Sequence, residues 1–199
     1  MLETLMLSLA LAGDPAAGAL FQTAPPKRAG RAPRMDREEV EEFLEEVQEY
    51  IEHRRKAREG LPKLKDKAEP EEVTVYAQQL ADNIRERRRG AKQGDVFTPR
   101  LARGFRRVFA YELSRTGRDR KVVLTEGNPT GDEERLPAPK VVVNGQYIPA
   151  APLSTVPPTV LLALPTLPEE VEYRFVGRSL ILRDTVANLI IDFIPNAVP

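Results

Sequence analysis

The chain has 199 residues with basic and acidic side chains in equal number, a formal net charge of zero, no cysteine and one histidine, His53. That composition excludes disulfides, thiol catalysis and zinc–thiolate sites, and it gives no bulk attraction to nucleic acid. Apolar residues make up 41% and charged residues 30%, with 18 prolines, which suits one core plus loop-rich or extended stretches.

Residues 5–12 form an apolar run, and Ala17-Gly18-Ala19 gives a small-x-small cleavage pattern. The pattern predicts a signal peptide over 1–19, although Glu3 stands where a basic residue is usual. The run is too short to span a bilayer, so the expectation is a periplasmic or secreted protein with no transmembrane span. Residues 20–35 are rich in Pro, Ala and Arg and read as a disordered linker.

Three amphipathic helices follow over 36–115. Asp36 with Glu39 three residues later predicts a capping box, and Val40, Phe43, Leu44, Val47 and Ile51 make one apolar stripe. Acids crowd residues 36–52 while Arg54, Arg55, Lys56 and Arg58 come last, an order that complements the helix dipole. Pro70 opens a second helix with the stripe Val73, Tyr76, Ala77, Leu80 and Ile84. Thr98-Pro99 opens a third, whose face is Leu101, Phe105, Val108, Phe109 and Leu113.

Residues 116–199 read as an α+β region. Residues 119–126 suit helix or strand equally, and 127–139 read as a polar loop. Asn144-Gly145 between apolar arms predicts a hairpin over 141–148. Pro157-Pro158 begins a short helix. Residues 171–194 predict a three-stranded meander, with Gly177-Arg178 as a type II′ turn and Thr185 to Asn188 as a four-residue loop. The alternation places Val171, Tyr173, Phe175, Leu180, Leu182, Leu189, Ile191 and Phe193 on a buried face with Asp184 at its rim. Glu172, Arg174, Val176, Ser179, Ile181, Arg183, Ile190, Asp192 and Ile194 fall on the other. The expected class is therefore α+β, with N-terminal helices covering a small C-terminal antiparallel sheet.

The tail carries a resemblance. Pro157-Pro158, Leu164-Pro165, Leu167-Pro168-Glu169-Glu170, Glu172-Tyr173-Arg174-Phe175-Val176-Gly177-Arg178 and Ala187-Asn188-Leu189-Ile190-Ile191-Asp192-Phe193-Ile194-Pro195-Asn196-Ala197 resemble uncharacterised exported bacterial proteins. Gly94-Asp95-Val96-Phe97-Thr98-Pro99 is the upstream part of the likeness, which runs from about residue 90 to 199. It implies a periplasmic or cell-envelope setting and brings no activity. The ending is more distantly similar to RcnB-type periplasmic proteins of nickel and cobalt homeostasis, in its proline-led segment, aromatic strand, turn and aliphatic strand. That likeness transfers no metal-binding residue to a chain with a single histidine and no cysteine.

Functional candidates are few. Arg85, Arg87, Arg88, Arg89, Arg100, Arg103, Arg106 and Arg107 form a basic segment that could meet an anionic partner, or could balance the acidic first helix inside the fold. Asp184 and Asp192, with Arg174 and Arg183 near, form a possible polar site. The acidic loop of Asp132, Glu133 and Glu134 lacks calcium-loop spacing, and no Ser-His-Asp or G-x-S-x-G pattern occurs. His53 reads as a surface residue near a helix C-terminus. No catalytic residue, metal site or cofactor is expected. The leading expectation is a non-enzymatic cell-envelope protein that binds an envelope protein or an anion through its basic helical surface. Self-association through the helix over 36–58 is a further option, and no specific nucleic-acid partner is expected. The alternative is a carboxylate-based enzyme or a divalent-metal-handling periplasmic protein.

Overall fold

A computed structural model describes residues 33–64, 67–115, 140–147 and 156–198, all within one unit, Ala32–Pro199. The expected signal peptide, most of the linker, the ambiguous segment 119–126, the acidic loop 127–134 and the far end of the 141–148 hairpin lie outside the described residues. The elements run α1 (Arg37–Arg58), α2 (Pro70–Arg87), α3 (Pro99–Arg115), α4 (Pro158–Leu161), β1 (Val171–Val176), β2 (Ser179–Asp184) and β3 (Ile190–Ile194). The fold is α+β, with helices followed by a three-stranded antiparallel sheet in the order β1-β2-β3.

Local chemistry sets the helix starts. Asp36 accepts from the Glu39 amide at 2.7 Å and Glu39 returns a carboxylate to the Asp36 amide at 2.9 Å, a reciprocal cap of about 1 kcal/mol. Pro70 and Pro99 stand at first helical positions, where the missing N–H costs nothing. The α3 stripe is buried as the periodicity requires. Two stripes differ from expectation. On α1 the buried residues are Glu39, Phe43, Val47, Tyr50, Arg54 and Ala57, while Leu44 is 37% exposed. On α2, Val73 lies in solvent, and only the turns from Tyr76 onward reach the core.

Helices α1 and α3 cover one face of the sheet. Phe43 stacks on Phe97 and Tyr173, Phe105 meets Phe43, Phe97 and Tyr173, and Phe109 meets Phe175 edge-on. Full burial of each such ring contributes roughly 1.5–3 kcal/mol. Helix α2 packs on α1.

The first hairpin has the expected register, Val176 opposite Ser179 through Glu172 opposite Arg183. Gly177 takes φ +56, the conformation that its turn position demands. The second pairing begins as expected, with the Asp184 amide on the Leu189 carbonyl at 2.9 Å, then departs. A bulge at Ile191 sets Leu182 opposite Asp192, Ile181 opposite Phe193 and Leu180 opposite Ile194. Every side chain beyond it changes face. Asp192 and Ile194 move to the helix-covered face, and Phe193 moves to the other, where it packs on Tyr147, Val176, Ile181 and Ile190.

The Asn-Gly signal also resolves differently. Val143 and Asn144 are the central turn residues, since the Gly145 amide reaches the Val142 carbonyl at 2.9 Å and Asn144 has φ 59. A left-handed Asn at this position suits a type II turn. Among the described residues the arms do not pair with each other. Residues 144–147 instead lie along β3, through amide–carbonyl bonds from Asn144 to Ile190, Ile190 to Gly145 and Tyr147 to Asn188.

Candidate functional site

The two aspartates of the expected polar site are both 0% exposed. Asp184 closes β2, facing α1. Its Oδ2 accepts from Tyr50 Oη and Arg54 Nε, each at 2.7 Å, and its Oδ1 accepts from the amides of Val186 and Ala187 at 2.9 and 2.6 Å. Burial lifts the Tyr50 phenol well above its ordinary pKa, and the Asp184 charge adds to this, so Tyr50 stays a donor. This explains the rotated face of α1: Tyr50 and Arg54 turn inward because a buried carboxylate must be paired.

Asp192 takes a different set of donors. Its Oδ2 accepts the amides of Val96 and Phe97 at 2.9 and 2.7 Å, and its Oδ1 those of Gly94 and Phe193 at 3.0 and 2.7 Å. Burial pushes the Asp192 carboxyl up, while these four amides pull it down. Beside the bulge that re-aims Asp192, Arg88 Nη2 donates to the Ile191 carbonyl at 3.2 Å. Each aspartate ties a distant segment to the sheet and presents no oxygen to solvent.

Arg174 and Arg183 lie on the opposite face of the sheet and do not meet either aspartate. Glu172 pairs with both of them, and Arg183 also donates to Asn188 Oδ1 at 2.8 Å and stands over the Tyr147 ring. Burial raises the Glu172 carboxyl, but the hydrogen bonds and charge of Arg174 and Arg183 outweigh it and hold the group below its usual range. The cross-strand pairing of Glu172 with Arg183 is as the register predicts. The bulge turns Asp192 away from the face that carries Arg183.

The basic segment is divided between two helices that both pack on α1. Arg100 pairs with Glu42, Glu38 and Asp36, and Arg107 with Glu39, so part of the segment does balance the acidic helix. Arg106 donates to the Pro195 carbonyl at 2.9 Å. Arg85 and Arg88 hold the 142–145 turn, through Asn144 O at 3.1 Å and Asn144 Oδ1 at 2.8 Å, and the Asn144 side chain returns a bond to the Arg88 carbonyl. Arg88 is buried with its guanidinium over Tyr50, and burial lowers its pKa. Arg89 makes an exposed pair with Glu86. Arg87 and Arg103 are exposed and have no ion-pair or hydrogen-bond partner among the described residues.

A polar cleft of about 430 Å³ lies where α1 meets the end of α2. One wall is Glu46, Glu49, Tyr50 and His53, and the other is Arg87, Arg88, Gly90, Ala91, Asp95 and Val96. The first wall follows from helical spacing, since positions i, i+3, i+4 and i+7 share a face. Glu46 has no bonded partner among the described residues, and Glu49 meets only His53 Nε2, at 3.8 Å. Burial and then the nearby Glu49, Glu42, Asp95 and Glu45 charges raise the Glu46 carboxyl. His53 Nδ1 is buried without a hydrogen-bond partner among the described residues. Sequence reading passed over this cleft because its second wall is a loop that neither periodicity nor motif places against α1.

Among the described residues no group of His, Asp and Glu side chains is placed to hold a metal ion, and no helix is long and apolar enough to cross a membrane. In comparisons with known proteins, no family model, curated protein or solved structure matches the chain.

Proposed function

We propose that this chain is a non-enzymatic cell-envelope protein that acts by binding a charged partner. The observation that carries the reading is the contrast between its charged groups. The aspartates best placed by sequence for chemistry are fully buried and saturated by internal donors, whereas Arg87 and Arg103 are exposed and have no partner among the described residues. A carboxylate that is to exchange protons or hold a metal must reach solvent or substrate, which favours binding over the carboxylate-based alternative. The envelope setting is supported by the apolar run over 5–12 with its cleavage-like pattern and by the likeness of the tail to exported bacterial proteins.

The internal bonds of the other arginines support a smaller capture surface. Arg85, Arg88, Arg100, Arg106 and Arg107 hold the fold together, which leaves Arg87, Arg89 and Arg103 for an acidic protein or anion. The test is a pull-down from solubilised cell envelope by the tagged full chain at low and high salt, with wild type and R87E/R89E/R103E. The reading expects a partner captured at low salt, released at high salt and lost in the variant, whose thermal unfolding stays like wild type. Capture that survives both the salt and the reversal overturns it.

A further inference from the structure

We propose that the cleft between α1 and residues 87–96 is a binding site for a small zwitterion of net positive character, of the basic amino acid class. The inference rests on the binding reading for its class and shares Arg87 with it, while Glu46 on one side and Arg89 and Arg103 on the other keep the two tests apart.

Opposite charges face each other here without closing. Glu46 and Glu49 stand on the α1 wall, and Arg87 stands on the other wall with no partner among the described residues. In folded proteins such groups usually pair directly when they can reach. Here a volume of about 430 Å³ separates the walls, enough to seat one amino-acid-sized molecule. Arg88, the second cation of the lining, is occupied by Asn144, the Ile191 carbonyl and the Tyr50 ring, so it supplies a fixed floor and not a free contact. Asp95 adds a third carboxylate, anchored by the Lys92 amide at 2.9 Å. The lining thus carries three carboxylates against two guanidiniums, of which Arg87 alone is open to a ligand, a net negative charge that matches a ligand with one anionic end and two cationic groups.

The chemistry of each wall supports this assignment. Burial first, and then the charges of Glu49, Glu42, Asp95 and Glu45, raise the Glu46 carboxyl, and an ammonium or guanidinium between Glu46 and Glu49 would favour its charged form. A ligand carboxylate facing Arg87 would gain a charge-assisted, bidentate contact that a lysine could not match. The buried, unpartnered His53 Nδ1 adds a polar atom at the edge of the cleft.

The experiment is calorimetric titration of the full chain with L-arginine, agmatine (the same molecule without the carboxylate), N-acetyl-L-arginine and L-glutamate. L-arginine is expected to bind tightest, with agmatine and the acetylated form each weaker by about tenfold or more, the scale of one charge-assisted contact. R87Q should reduce L-arginine to the affinity of agmatine and leave agmatine unchanged. E46Q should lose binding while its melting temperature holds or rises, because the substitution removes a carboxylate whose ionisation the fold disfavours, so lost binding is not lost folding. The proposal is overturned by no heat with L-arginine, by agmatine binding as tightly as L-arginine, by preferred binding of L-glutamate, or by an unaffected E46Q. A chain that captures an envelope partner through Arg89 and Arg103 yet ignores L-arginine would refute this site alone. Loss of capture in R89E/R103E with intact L-arginine binding would leave this site standing and confine the partner surface to those arginines.

Discussion

Replacing Asp184 by asparagine tests whether that carboxylate is structural. The side chain is 0% exposed, and two donors, Tyr50 Oη and Arg54 Nε, converge on one of its oxygens at 2.7 Å. Asparagine keeps the shape and one acceptor, which suffices for the Val186 and Ala187 amides, but removes the charge from Arg54, itself 8% exposed. Removing one partner of a buried pair costs about 3–5 kcal/mol, because the other charge is left uncompensated. For a chain of this length each kcal/mol is worth about 2–4 °C, so the melting temperature of D184N should fall by roughly 6–20 °C. The assay is reversible thermal and urea unfolding of wild type, D184N, R54M and the double variant. The double variant should recover part of the loss, since it carries no orphaned guanidinium, giving a coupling energy of about 1–3 kcal/mol. A D184N melting temperature within 2 °C or so of wild type would refute the reasoning. It would return Asp184 to the list of candidate functional carboxylates.

D192N should lose about 1–3 kcal/mol, because an amide NH2 would face the Gly94, Val96 and Phe97 amides. Hydrogen exchange at those three should accelerate, and unchanged protection would contradict the role given to Asp192. The depressed Glu172 carboxyl predicts a pH dependence. Its contribution is present above its unfolded-state pKa and is lost as pH falls through its folded value. E172Q should therefore be less stable than wild type near neutrality and converge with it in acid, and a constant gap across that range would be inconsistent with the shift. G145A places a Cβ 2.8 Å from the Val142 carbonyl oxygen, a backbone atom. The strain should cost about 1–3 kcal/mol, read in urea unfolding, and a neutral substitution would mean the turn relaxes freely.

Much of the fold was legible where its causes are local. The capping box of Asp36 and Glu39, the first-position prolines, the α3 stripe and the Gly177 turn each depend on residues a few positions apart, and each is where the pattern puts it. The features that escaped have causes far along the chain. The bulge at Ile191 breaks the alternation because the amides of residues 94–97 need the Asp192 carboxylate, and the ladder shifts to supply it. Tyr50 and Arg54 displace Leu44 from the buried face of α1 because Asp184 needs donors, 134 and 130 residues away in sequence. Asn144-Gly145 carries a strong hairpin signal, yet its turn moves one residue back because Arg85 and Arg88 hold Asn144. In the polar site read from Asp184, Asp192, Arg174 and Arg183, unbroken alternation kept Asp192 on the face of the two arginines, and the bulge moves it across to the face of Asp184.

His53 offers the most direct test of where the protein makes contact. It is the only histidine, so its imidazole gives one set of NMR signals, and it lines the cleft. Titration of the full chain with L-arginine should move those signals progressively to saturation in wild type and leave them in place in E46Q. Imidazole signals that stay fixed in wild type, with shifts instead gathered around Asp184 or Asp192, would contradict the account.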